Sequence, residues 1–334
     1  MKETRAGLPT VDAAGPAAAA EPTAAGGTRR WIPGTPVAFA ALVVLFAVLR
    51  PQSFLSTGNL RNTVEQIAIL AVVAAVQTVV MAVGEFDLSV GALVSLTGVV
   101  AAHLMLDGTP VAPAILAAVL TGTAVGVVNG VLVAWLRLSA FVATLAVLTA
   151  LAGTSLLLTD GSTLFGLPAG FVAIGRDRLG GVPVLVIVAA VAAAVVWFLL
   201  AHTSAGARWY AVGGNAEAAW YAGIDARWMR LAAFVVSGAG AGVAGVLLTS
   251  RLASAHPTAG DGLMLTSIAA VFLGMTASRS GRVTVGGTLL GVAVLGVLDN
   301  GLNLLQIDTY VQQVLTGLIL IYAVALSRRR EARR

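Results

Sequence analysis

The stretch VEQIAILAVVAAVQTVVMAV, Val64 to Val83, holds one ionisable side chain, Glu65, in twenty residues. A helix rises about 1.5 Å per residue, so these residues cover about 30 Å, the thickness of a bilayer's hydrocarbon core. Nine other segments have the same character: residues 33–49, 88–106, 111–136, 139–158, 183–201, 230–250, 263–277, 284–304 and 310–326. Segment 263–277 is short and reads either as a full span or as a broken, re-entrant one. Across 334 residues, 58% are hydrophobic and 10% charged, with a mean hydropathy of +0.93. Soluble domains carry about 25% charged residues, and surface-to-volume scaling requires of them a polar skin that this chain cannot supply. The sequence predicts an all-α polytopic membrane protein of about ten transmembrane helices. Most soluble enzymes and nucleic-acid binders are excluded, despite a pI near 10.4.

Flanking these spans, residues 1–30 are rich in Ala, Gly, Pro and Thr and read as a disordered cytoplasmic tail. The first apolar stretch begins near Trp31, too late for a signal peptide. Residues 31–327 form the transmembrane domain and 328–334 a basic cytoplasmic tail. With the N-terminus inside, fifteen of the twenty cations fall on cytoplasmic segments and five outside (Arg50, Arg61, Arg176, Arg178 and Arg251). That is the positive-inside bias. It requires segment 263–277 to cross, since otherwise Arg328–Arg330 would lie outside. Both termini are therefore expected in the cytoplasm.

Lys2 is the only lysine, so a phosphate-cradling loop of the GxxxxGK[ST] type cannot form. Without cysteine there is no disulfide or thiolate chemistry, and no His/Asp/Glu spacing suggests a metal site. Gly240, Gly242 and Gly245 spell a dinucleotide fingerprint, but no strand precedes them. Like Gly122, Gly126 and Gly130, and Gly238 and Gly242, they read as small residues that let helices pack closely in lipid.

Three places are candidates for function. The turn from Gly84 to Gly91 holds Glu85 and Asp87 between two spans. Asp87 reads as a helix N-cap in a tight turn or as a gating or ion-coupling carboxylate. Residues 202–229 form the longest cytoplasmic connection. There Gly213 and Gly214 break the chain, Asn215 caps a short helix over 216–222 that begins with Ala216 and Glu217, and Gly223 ends it. Ala218, Ala219, Trp220 and Tyr221 then make a surface for another protein, or a plain interfacial helix. Finally Gln77, His103, Asn129, Thr144, Asp299, Asn300 and Asn303 lie at or near membrane depth. They either bond helix to helix or line a polar path.

Taken in order, five motifs resemble the permease subunit of bacterial ABC importers of the ribose/xylose/autoinducer-2 type. They are Asp87-Leu88-Ser89-Val90-Gly91, Asn129-Gly130 with Ala140–Leu145, the run from Gly213 to Ile224, Arg251–Gly260, and Asn300–Leu305. The resemblance covers residues 33–327 and implies the ABC importer permease fold in a bacterial cytoplasmic (inner) membrane. It implies two permease copies or paralogues around a path, and ABC ATPase subunits that carry ATP and magnesium and dock on Gly213–Gly223. It also implies an extracytoplasmic solute-binding protein and a small sugar as solute, with no cofactor in this chain, no catalytic residue and no nucleic acid. Candidate path residues are Asn129, Phe141, Thr144, Asn300 and Asn303, and the motif turn supplies Asp87, Ser89 and Gly91. Glu85 and Phe86 stand where the family has a glycine and an aliphatic residue. Met275, Ser280 and Val283 replace glycines, and Asp299 stands where asparagine is common. The competing readings are a permease of the same superfamily for nucleosides or branched-chain amino acids, and a self-contained secondary transporter or channel.

Overall fold

Long apolar runs with capping residues at their starts dictate a helical architecture. In the computed structural model the described residues are 34–277, 281–308, 310–319 and 321. The tails expected over 1–30 and 328–334 lie outside them. Thirteen named helices are α1 (Gly34–Leu49), α2 (Pro51–Phe54), α3 (Thr57–Ala82), α4 (Val90–Leu106), α5 (Val111–Ala134), α6 (Ala140–Thr159), α7 (Ala169–Arg176), α8 (Val184–His202), α9 (Ser204–Gly214), α10 (Ala216–Tyr221), α11 (Ala226–Leu252), α12 (Asp261–Ala277) and α13 (Val285–Leu304). A further helical run covers 310–319. Among the described residues the one pair of strands is a hairpin, β1 (Arg178–Leu179) with β2 (Val182–Pro183). Gly180 and Gly181, at φ +60 and +85, supply the left-handed turn it needs.

Six helices are long and apolar enough to cross a membrane: α3, α5, α6, α8, α11 and α13. The chain is a multi-pass membrane protein. Three more, α1, α4 and α12, are apolar but shorter. α3 is 72% buried over its apolar window and α11 56%, against 22% for α5 and α6. With α13, also 56% buried, these two are therefore the centre of the bundle, while α5 and α6 present apolar faces outward.

Small residues decide how closely the centre packs. On α5 and α11, built Cβ atoms at Gly122 and Gly238 would each strike the other's carbonyl oxygen, and one at Gly126 would strike that of Phe234. The two backbones therefore touch, as close-packed helices in lipid require. Leucine at Gly126 has no room, and overpacking of this kind costs about 1–3 kcal/mol. Gly126→Leu is expected to lower the melting temperature of the detergent-solubilised protein by several degrees, with membrane insertion unchanged. An unaltered thermal melt would contradict this packing.

Contacts also sort the helix ends into two groups. At one end, the tip of α3 meets α9, the Trp209 indole N–H donates to the Met229 carbonyl (2.9 Å), and the Tyr210 hydroxyl to that of Val283 (2.9 Å). At the other, Leu164 bridges Ala255, and the Ser250 hydroxyl donates to the Phe171 carbonyl (2.6 Å). Between α11 and α12 the chain turns back into the bundle. Gly98 of α4 faces Thr249, yet Gly91 and Ser95 face Gly260, and the Ser95 hydroxyl accepts from the Gly260 N–H (2.8 Å). Residues 253–260 thus retreat along α4 by about one to two helical turns. α12 therefore starts inside the protein, short of the level at which α11 ends.

Candidate functional site

The pentapeptide Asp87–Gly91 is a joint on which four elements meet. Asp87, 1% exposed, does not take the N-cap place of α4, which falls to Ser89. Its Oδ1 accepts from the Ser89 N–H (2.9 Å) and hydroxyl (2.6 Å), and its Oδ2 from the Ser237 hydroxyl of α11 (2.8 Å). The Asn129 amide of α5 donates to the Ser89 hydroxyl (2.8 Å). The Leu88 N–H donates to Thr144 of α6 (3.1 Å), whose own hydroxyl donates to the Ala140 carbonyl (2.7 Å). A Cβ on Gly91 would lie 2.8 Å from the Gly260 carbonyl oxygen, so only glycine lets the segment before α12 approach. Val90 is buried in the core beneath. A buried carboxylate is tolerable because hydroxyl and amide donors surround it. The site holds no nucleophile or general base; what it offers is mechanical connection.

Two side chains that depart from the family pattern reinforce the turn. Glu85 Oε1 lies 2.8 Å from Arg230 Nε at the start of α11, an ion pair whose N–H does not point along the contact. Burial raises the Glu85 carboxyl above the usual carboxylate range and Arg230 pulls it back, burial being the larger effect. Phe86 stacks on Phe272 of α12, ring centroids 6.1 Å apart. Val283, the described one of the glycine replacements after α12 besides Met275, is buried against Trp209 and Val212; Ser280 lies outside the described residues.

The connection 202–229 sits directly on this joint. A Cβ on Gly213 would collide with the Ala82 carbonyl oxygen, and Gly84, at φ +89, lies against Gly213 in turn. Gly213 and Gly214 do not break the chain but form the last residues of α9, which sequence reading missed. Its signal was present: Thr203 accepts from the Gly206 N–H (3.3 Å), and Trp209 and Val212 stand three apart on the buried face. Asn215 caps α10 by accepting from the Ala218 N–H (2.9 Å), and Gly223 follows it at φ +78. One part of the expected surface is corrected. Ala219 is 4% exposed and packs into the core, because on a helix this short the residue facing inward must be small. The exposed face carries Glu217, Ala218, Trp220 and Tyr221. Beside it opens a cavity of about 490 Å³ lined by Glu85, Arg137, Ser139, Trp220, Arg227 and Arg230.

The candidate path residues do not come together. Asn129 and Thr144 belong to the Asp87 joint. Asn300 exchanges two amide hydrogen bonds with Asn59 of α3 (2.9 and 2.8 Å). Asn303 lies one turn further on and accepts from the Gln312 amide (2.8 Å). Phe141 is 60% exposed on the outer face of α6. Among the described residues no cluster of His, Cys, Asp and Glu is arranged to hold a metal.

With this geometry in hand, comparison with known proteins is decisive. The family described as "Branched-chain amino acid transport system / permease component" matches residues 59–324, more than three quarters of the chain. The chain belongs to this permease family. The permease is 37% identical over 296 residues to the D-allose transport system permease protein AlsC of Escherichia coli, covering 88% of this chain and 91% of the relative. It is 39% identical over 293 residues to the ribose import permease protein RbsC of Bacillus subtilis, covering 87% and 91%. It is 34% identical over 294 residues to the L-arabinose ABC transporter permease protein AraH of Azospirillum brasilense, covering 87% of each. No solved structure matches the permease significantly. As a member of this family it is a transport subunit and not an enzyme.

Proposed function

We propose that this permease forms the path for monosaccharide uptake in a bacterial ABC importer of the cytoplasmic membrane. The observation that carries the reading is the likeness to three sugar permeases over nearly nine-tenths of the chain, joint and 202–229 connection included. The family description names branched-chain amino acids, so that solute class is the second reading. The three relatives above are all named for sugar systems, which favours a sugar. A separate ATPase, carrying ATP and magnesium, docks on the exposed face of α10 and displaces α9 and α10. A second permease copy or paralogue completes the path, and an extracytoplasmic binding protein delivers the solute. On this reading the α9–α10 end is cytoplasmic, the helices make ten crossings, and both termini lie inside, as the fifteen-to-five partition of cations requires.

The test is reconstitution with its cognate ATPase and binding protein, measuring ATP-dependent uptake of D-ribose, D-allose, L-arabinose and L-leucine. Uptake of leucine but of no sugar moves the assignment to the second reading. For the docking face, Ala218→Arg is expected to reduce co-purification of the ATPase at least tenfold, with membrane insertion unchanged. Ala218 is exposed, so the added side chain disturbs a partner rather than the core. Co-purification at the unaltered level removes α10 from the docking surface.

A further inference from the structure

At the end of the bundle opposite α9 and α10 lies a chamber of about 650 Å³. It exists because the chain folds back over 253–260 and α12 begins inside the protein. The space beyond its first turn is walled by α3, α13 and the helical run 310–319. Irregular backbone at membrane depth is tolerated where it is buried in protein or lines a watery cavity, and Ala259 lines this one. Helices that start within the bundle commonly frame solute sites in transporters. The volume falls in the range of small-ligand pockets, about 300–1,000 Å³.

The wall chemistry is uneven. Asp299 and Asn303 are four apart on α13 and share the face that lines the chamber, while Asn300 turns away to Asn59. Gln312, 9% exposed, donates to Asn303 Oδ1 (2.8 Å) and to the Ile307 carbonyl (3.0 Å), which fixes both amides. Among the described residues the Asn303 NH2, the Gln312 carbonyl oxygen and the Asp299 carboxylate have no partner. That leaves one amide donor and two acceptors on one wall. Ile69, Leu70 and Leu263 add an apolar surface to the lining. Arg251 also lines the chamber, but its guanidinium sits 3.9 Å from the Glu65 carboxylate, which balances its charge.

A neutral ring bearing several hydroxyls matches this wall. Each hydroxyl both donates and accepts, adjacent hydroxyls fit a carboxylate, and the C–H face of the ring fits the apolar side. We propose that the chamber is a holding site for a monosaccharide on its way through the protein, with Asp299, Asn303 and Gln312 as its hydrogen-bonding residues. This rests on the sugar-permease reading and adds a site within a single subunit.

The test uses the full complex of permease, ATPase and binding protein in proteoliposomes, with whichever of D-ribose, D-allose and L-arabinose the wild type takes up fastest as the probe. Asp299→Leu and Asn303→Leu are each expected to lower uptake at least tenfold while the loaded binding protein still stimulates ATP hydrolysis. Uptake within twofold of wild type in both variants overturns the holding site and leaves the sugar-permease reading standing. Wild-type uptake of none of the three sugars overturns that reading, and the holding site with it. Where the leucine variants fail to assemble, the absence of native cysteine allows a second measurement. In Thr316→Cys, whose position lines the chamber, the probe sugar is expected to slow modification by a membrane-impermeant methanethiosulfonate at least threefold. Equal rates with and without sugar overturn the proposal.

Discussion

Gly213→Val is expected to abolish ATP-dependent uptake, a loss of at least a hundredfold, in a protein that still inserts and still binds its ATPase. The valine Cβ would occupy the place of the Ala82 carbonyl oxygen, and the Ala82 carbonyl carbon would lie 3.0 Å away. Backbone cannot yield as a flexible side chain can, so α9 must lift off the end of α3. The exposed face of α10 is untouched by this change, so docking survives. On the proposed reading, what is lost is the contact through which a displacement of α9 would reach Gly84 and the turn beyond it. Uptake and ATPase co-purification measured on the same preparation check this. Uptake within tenfold of wild type would show that the contact transmits nothing.

Asp87→Ala should be nearly as damaging, by a different route. Removing the carboxylate leaves the Ser89 N–H and the Ser89 and Ser237 hydroxyls without their acceptor in a site that is 1% exposed. Each buried group so orphaned costs about 1–3 kcal/mol. The turn then loses its tie to α11 and, through Ser89, its hold on Asn129 of α5. Uptake is expected to fall at least tenfold and the melting temperature in detergent to drop together with it. Asp87→Asn tests the charge separately. The amide keeps one acceptor and brings two donors to a place where three donors already converge, so it should rescue only part of the stability. Full activity in Asp87→Asn would mean that shape, not the carboxylate, holds the joint.

Much of this was legible in the sequence. Hydropathy and length located the helices that form the bundle, since a bilayer leaves backbone few ways to satisfy its hydrogen bonds. The glycine spacings on α5 and α11 announced a close contact, although spacing alone did not say that each faces the other. Asn215 and Gly223 bracket α10 where expected, because caps are local chemistry. Other features depend on what lies far away in the chain. Asp87 looked like a cap, but its second oxygen is claimed by Ser237, 150 residues on. Ala219 looked like docking surface, but the core reaches it. In the sequence Asn129 and Thr144 share with Asn300 and Asn303 only their polarity at membrane depth. Tertiary packing divides them between the joint, a cross-bundle amide pair and the far chamber. The chamber cannot be read from sequence, since its walls are drawn from five stretches of chain and its existence depends on the reversal at 253–260.

The seam between α5 and α11 sets a timetable for making the protein. About ninety residues separate Ala134 from Ala226, and chains grow at about 5–20 residues per second. The grooved face of α5 therefore stays in lipid for about five to twenty seconds before its mate is synthesised, while α6 and α8 are laid down in between. During that interval the residues of α11 that cover Gly122, Gly126 and Gly130 do not yet exist. A neighbouring helix that docks there first would have to be expelled. Substitutions along this seam should therefore also lower the yield of assembled protein, beside the lower melting temperature of what is recovered.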